Sequence, residues 1–254
     1  ATDARRRFFD EGAVMIITNV ASGTNVHEIA DSIYRINTPI NIVPGGFSFN
    51  QYLILDDQPL LFHTGPRKLF PLVHEAVRHL VPAERLRFIA LSHFEADECG
   101  SLNEWLAAAP QSVPLCSKVA AMVSINDVAD KPARPMADGE KLELGKHSVK
   151  WLDTPHLPHG WETGYLMEAE TGTMFCGDLF TQGGNGAIAL TESDILETSE
   201  AFRISLDYFS HSTNAWALID KLARENPTTL ACMHGSAWTG NGADLLRALG
   251  ERLT

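Results

Sequence analysis

From Leu86 to Glu98 the chain runs from a largely apolar stretch, Leu86-Arg-Phe-Ile-Ala90, straight into Leu91-Ser-His-Phe-Glu-Ala-Asp-Glu98. The first part has the look of a buried strand. The second sets His93, Glu95 and Asp97 at alternate positions. One imidazole and two carboxylates side by side at a strand end are costly to hold away from water unless a positive charge neutralises them. The fold must therefore end this strand where further polar groups converge, and a metal ion or a pair of ions is the natural neutraliser.

The chain has 254 residues, of which 44% are hydrophobic and 20% charged, enough for one globular domain with a sizeable core. A net charge of -12 argues against nucleic acid and against an anionic membrane as partner, because both call for clustered Lys and Arg. No apolar run approaches the roughly 20 residues of a membrane span. Arg5-Arg6-Arg7 followed by Phe8 and Phe9 hints at a leader, but Asp10 and Glu11 then precede only a short apolar stretch, which rejects that reading. Cys99, Cys116, Cys176 and Cys232 form no CxxC pair, so reduced thiols and a cytoplasmic location are expected.

Strand and helix signals alternate. Residues 32–36 and 50–54 are expected as strands, with 59–63 continuing the second after a turn at Asp56-Asp57. Leu69, Leu72, Val73, Ala76, Val77 and Leu80 recur at helical spacing and predict an amphipathic helix. Asp97 is expected to cap a helix that carries Leu102, Trp105 and Leu106. Residues 113–116 form another strand, and the polar stretch 126–139 is expected as a loop between two halves. In the second half, 142–144, 148–152, 164–168, 173–176 and 229–233 are expected as strands. Helices are expected around Phe202 to Phe209, Leu218 to Leu222 and Leu245 to Leu249. Residues 1–26 are read as an extension of uncertain structure and 27–254 as the domain. Strand-rich halves with helices outside suggest an α/β sandwich.

Strand ends in the second half each deliver a residue able to bind metal. Strand 148–152 leads into Asp153-Thr-Pro-His156-Leu-Pro-His159, strand 173–176 into Gly177-Asp178, and strand 229–233 into His234. Each is weak alone, since a loop histidine has many bland roles; the signal is the repetition. His27, His74, His79, His147 and His211 are placed on the surface or on helices, and Cys176 and Cys232 are read first as inert space-filling thiols, with oxidation by peroxide formed at a metal site as the alternative.

The order His93-x-Glu95-x-Asp97, then His156, Asp178 and His234, resembles the dinuclear site of the metallo-β-lactamase superfamily. More narrowly it resembles the flavodiiron proteins and their oxygen-binding diiron relatives. Phe49-Asn-Gln-Tyr-Leu-Ile54, Phe175-Cys-Gly-Asp-Leu-Phe180 and Cys232-Met-His-Gly-Ser236 carry the same likeness, which runs from about residue 28 onward. The resemblance implies a four-layer αββα sandwich in which 27–254 is a metallo-β-lactamase-like diiron domain. It also implies that His93, Glu95 and His156 bind one iron, that Asp97 and His234 bind the other, and that Asp178 bridges them. The cofactor implied is two iron ions joined by an oxo or hydroxo bridge, with no catalytic group beyond the ligands.

Zinc hydrolases of the superfamily carry HxHxDH, whereas Glu95 and Glu98 stand here where the second and third histidines would be. Hard, anionic oxygen donors favour iron or manganese over zinc. Glu98 is open between ligand, hydrogen-bonding neighbour and solvated helix start. His159 is kept as a neighbour or proton relay beside His156, and His63, where the superfamily usually shows Asp, as a supporting residue. The sequence stops soon after His234 and has no glycine-rich phosphate loop, so no flavodoxin domain and no flavin are expected in it. The resemblance then implies a protein that binds and slowly reduces O2, as a sensor or scavenger, with a separate electron donor or signalling partner and as a homodimer. The alternatives are an oxidoreductase of O2 or NO fed by an external donor and, from another class, a dinuclear hydrolase of esters or phosphodiesters.

Overall fold

A computed structural model describes residues 15–41 and 43–253. One sheet runs in chain order through β1 (Ile16–Asn19), β2 (Thr24–Ala30), β3 (Ile33–Ile40), β4 (Phe47–Ile54), β5 (Leu60–Phe62), β6 (Phe88–Ala90), β7 (Val113–Ser117) and β8 (Arg134–Met136). Pairing is antiparallel up to β5 and parallel from β5 to β8. Helix α1 (Phe70–Leu80) makes the crossover to β6. The short helices α2 (Ala96–Cys99) and α3 (Leu102–Ala108) lead on to β7, and α4 (Lys118–Ala120) and α5 (Asn126–Val128) to β8.

The second sheet contains β9 (Lys141–Glu143), β10 (Ser148–Asp153), β11 (Gly164–Glu168), β12 (Thr173–Phe175), β13 (Leu190–Thr191), β14 (Thr229–Ala231) and β15 (Ala237–Thr239), in the order β13-β15-β14-β12-β11-β10-β9. Helices α6 (Leu196–Leu206), α7 (Ala215–Ala223) and α8 (Gly242–Arg252) complete the described chain.

Side-chain alternation along the strands builds the layers. Tyr52, Ile54, Leu60 and Phe62 point between the sheets to meet Trp151, Leu166 and Phe175, while Leu53 and Leu61 point outward to Val73, Val77 and Trp105. Beneath the second sheet, Met174 and Leu230 pack on Ile219, Leu222, Leu246 and Leu249 of α7 and α8. The result is the expected αββα sandwich. It also explains the apolar character of β6, which is covered on both faces as a parallel strand must be.

Several local expectations give way. The division expected between residues 26 and 27 falls inside β2, which pairs with both β1 and β3; residues 1–14 lie outside the described residues. Polar residues in Thr24-Asn-Val-His-Glu28 hide β2 from a hydrophobic pattern, because Thr24 and Asn25 are buried through hydrogen bonds to Thr38 and Asn37. The stretch 126–139 holds α5 and β8 rather than a bare loop. Asp97 is no cap: Glu95 takes the extended backbone, and its carbonyl accepts from Cys99 N–H, so Asp97 sits in the first turn of α2. His147 is buried rather than on the surface, its Nδ1 lying 3.0 Å from Glu168 Oε1.

Candidate metal centre

The loops after β6, β10, β12 and β14 meet at one edge of the sandwich, and their polar side chains converge. His93 Nε2 lies 3.2 Å from Glu95 Oε2, 3.5 Å from Asp178 Oδ2 and 3.8 Å from Glu98 Oε2. His159 Nε2 lies 2.9 Å from Glu95 Oε2 and 3.5 Å from Asp178 Oδ2. On the other side, His234 Nε2 is 3.4 Å from both Asp97 Oδ2 and Asp178 Oδ1. Ligand-type atoms of His93, Glu95, His159 and Asp178 all lie within 4.8 Å of one another, and so do those of Glu95, Asp97 and Glu98. Asp178 faces both histidine groups, as a bridge would.

Each histidine is oriented from behind. The Nδ1 of His159 is 2.9 Å from the Tyr208 carbonyl, and that of His234 is 2.9 Å from the Ser48 carbonyl. A carbonyl only accepts, so both Nδ1 atoms carry hydrogen, and Nε2 is the ring atom that each presents to the cluster, open to a metal ion once it gives up any proton. That is the tautomer in which imidazole binds metal. His93 Nε2 and His159 Nε2 approach to 3.1 Å. Two lone pairs at that distance repel unless a cation or a proton lies between them, so this contact tests the donor set and finds it fitted to a positive ion.

The carboxylates carry the same message. Glu98 is fully buried and neither of its oxygens has a hydrogen-bond partner; the imidazole of His93, at 3.8 Å, lies beyond that reach. Burial, then Asp178 and Asp97, push the Glu98 carboxyl well above its ordinary range. Hydrogen bonds from His159 and His93 pull Glu95 far below it. Burial works against charge on Asp178, yet His234 and His93 hold its carboxyl low. Burial likewise opposes charge on His234, but Asp178 and Asp97 raise it to about 10. Four clustered carboxylates balanced by protons on imidazoles are groups that a divalent ion satisfies better.

His156 stands apart from the group in which it was expected. It is exposed and lines a separate cavity of about 170 Å³ with Arg203, Ser210 and His211. The reason is the closed loop that follows β10. Thr154 N–H donates to the Thr163 carbonyl and His156 N–H to the Gly160 carbonyl, while Ser210 Oγ donates to the His156 carbonyl. Those bonds turn His156 toward α6 and bring His159 back to the sheet edge. The histidine that a sequence pattern favours, just after Thr154-Pro155, is therefore the member of the pair that lies outside the cluster. His63 lies behind His93, with Ser92 between them.

Sequence reasoning passed over the groups that brace the centre. Buried Arg35 donates to the carbonyls of Gly186 and Gly235, next to His234, and desolvation lowers its guanidinium to about 10. Asn50 and Tyr52 both donate to the Cys232 carbonyl. Glu162 accepts from Phe94 N–H inside the motif, and Tyr208 OH donates to the Asp178 carbonyl. An arginine in the middle of an apolar strand is the one of these that a sequence could have flagged.

A model of the ODP family beta lactamase matches residues 47–235, well over half of the chain and every residue of the cluster. The chain belongs to this family. Its similarity to curated proteins is lower: 29% identity over 182 residues to a putative diflavin flavoprotein A 2 of Nostoc sp., covering 70% of this chain and 31% of that protein. It is 24% identical over 176 residues to the rubredoxin-oxygen oxidoreductase of Megalodesulfovibrio gigas, covering 68% of this chain and 43% of that one. The ODP chain thus spans well under half the length of these two relatives. A variant of the flavo di-iron protein of Thermotoga maritima superposes with a TM-score of 0.78 at 19% identity, covering 91% of this chain and 61% of that one, which bears on the fold. No helix among the described residues is long and apolar enough to cross a membrane.

Proposed function

We propose that this ODP-family chain is a non-haem diiron protein that binds and slowly reduces O2, serving as a sensor or scavenger. His93, Glu95 and His159 would hold one iron, Asp97, Glu98 and His234 the other, with Asp178 shared. The observation that carries the reading is the donor set itself. Three imidazoles and four carboxylates without a thiolate suit iron better than zinc, and Glu98 adds a hard oxygen that nothing else in the fold satisfies. The flavodiiron kinship supports the same metal. Two iron ions held there would supply the ligation and electrons that a diatomic molecule needs.

The chain's own residues set the frame for that chemistry. The Glu95 side chain is half exposed, so the edge between Glu95 and His159 is the open approach for a small gas molecule, while Glu98 and His93 close the floor. Electrons come, in this reading, from a separate donor, the protein works as a homodimer, and its compartment is cytoplasmic.

The test is anaerobic reduction of the iron-loaded chain followed by exposure to O2. A spectral change that lasts minutes supports sensing. Fast turnover only with an added donor supports the second reading, an O2 or NO reductase, which the rubredoxin-oxygen oxidoreductase relative favours. No optical response, together with hydrolysis of generic esters or phosphodiesters, would sink both.

A further inference from the structure

One buried side chain reaches the candidate centre through a single intermediary. His63 follows β5 with a left-handed backbone, φ 65°, and its N–H donates to the Ala90 carbonyl. Only 1% of it is exposed, and its ring stacks on Phe62. Its Nε2 is 2.8 Å from Ser92 Oγ and 3.3 Å from Ser92 N, while Nδ1 is 3.0 Å from Met233 Sδ. Ser92 Oγ in turn lies 2.9 Å from His93 Nδ1.

The protons in this chain have one consistent placement. A backbone N–H can only donate, so His63 Nε2 accepts from Ser92 N–H, and the ring hydrogen sits on Nδ1, facing the weak acceptor Met233 Sδ. The Ser92 hydroxyl then donates to the same Nε2. Its oxygen is left to accept from His93 Nδ1–H, which leaves the His93 Nε2 lone pair aimed at the cluster. His159 and His234 use fixed backbone carbonyls for this purpose. His93 alone is backed by a side-chain relay.

We infer that His63 is a positioning residue of the centre: acting through Ser92, it fixes the His93 tautomer and strengthens His93 as a metal donor. The mechanism is general, because an outer acceptor that polarises a ligand's N–H makes the imidazole more basic and steadies the more oxidised metal. This rests on the diiron reading for its redox consequence but not for its effect on metal affinity.

The experiment compares the full chain with Ser92→Ala, His63→Leu and His63→Gln, measuring iron(II) and cobalt(II) affinity and the midpoint potential of the iron form. Outer partners of this kind are worth about 10–100-fold in affinity. Ser92→Ala is expected to weaken binding of both ions by at least about 10-fold and to raise the midpoint. His63→Leu should move both in the same direction by less, and His63→Gln, whose amide oxygen can accept from Ser92, should stay near the parent. Folded Ser92→Ala and His63→Leu proteins with unchanged affinity and midpoint would overturn the inference and leave His63 a purely structural residue. A parent chain that binds cobalt but takes up no iron contradicts the diiron reading instead, and the cobalt affinities then decide the role of His63.

Discussion

His159→Ala is expected to reduce bound iron from two ions per chain to one or fewer, while His156→Ala leaves the count unchanged. His159 presents its Nε2 lone pair within 2.9 Å of Glu95 Oε2 and 3.1 Å of His93 Nε2, and the Tyr208 carbonyl locks that orientation. On the proposed ligation its removal deletes a ligand outright, so the loss should exceed the about 10–100-fold that outer partners alone contribute. His156 is exposed and faces Arg203 and Ser210, where a surface truncation should cost within about 0.5 kcal/mol. Iron content and thermal stability of the two variants, side by side, check the assignment. The reverse outcome, iron lost with His156 and kept with His159, would restore the choice that the sequence alone suggests.

Glu98→Met is expected to raise the stability of the metal-free protein while halving its iron content. Glu98 is a fully buried carboxyl with no hydrogen-bond partner for either oxygen. An unpaired buried polar group costs about 1–3 kcal/mol, and methionine fills a similar volume without that cost. In a chain of this size each kcal/mol moves Tm by about 2–4 °C. The pH dependence has a definite sign. Burial, then Asp178 and Asp97, raise the folded-state value of Glu98, so its contribution is fully present below its unfolded value and is lost as pH rises through the folded one. The advantage of Glu98→Met in the metal-free state should therefore grow across that window and shrink in acid to the cost of the unpaired neutral carboxyl alone. Melting curves of both proteins between about pH 4.3, the unfolded reference for Glu, and pH 8 test this. A variant less stable than the parent throughout would mean that Glu98 is held by contacts other than a cation. Stability given up at an unsatisfied group for the sake of function is a common trade in proteins.

Much of this was legible before the structure. The alternation in His93-Phe-Glu-Ala-Asp97 and the buried strand before it predict a convergence of polar groups at a sheet edge, and the loops after β6, β10, β12 and β14 form one. Asp178 and His234 followed from the ends of β12 and β14. The helix over 70–80 and the strands on both sides of the core followed from period and burial. What stayed hidden depends on contacts distant in sequence. His156 and His159 are equivalent by composition, and only the bonds from Thr154, Gly160 and Ser210 decide which one returns to the edge. Glu98 was left open because a carboxylate at a helix start is ordinary on a surface, and its complete burial is a property of the packed fold. β2 and Arg35 escaped for a related reason, since polar residues satisfied inside a sandwich break the hydrophobic pattern that announces a strand.

Metal analysis of the protein as isolated, joined to its absorption spectrum before and after anaerobic reduction and return to air, bears most directly on the central claim. Two iron ions per chain, with absorption that bleaches on reduction and returns with O2, is the result that this donor set predicts. Zinc alone, or iron whose spectrum is indifferent to O2, would contradict it.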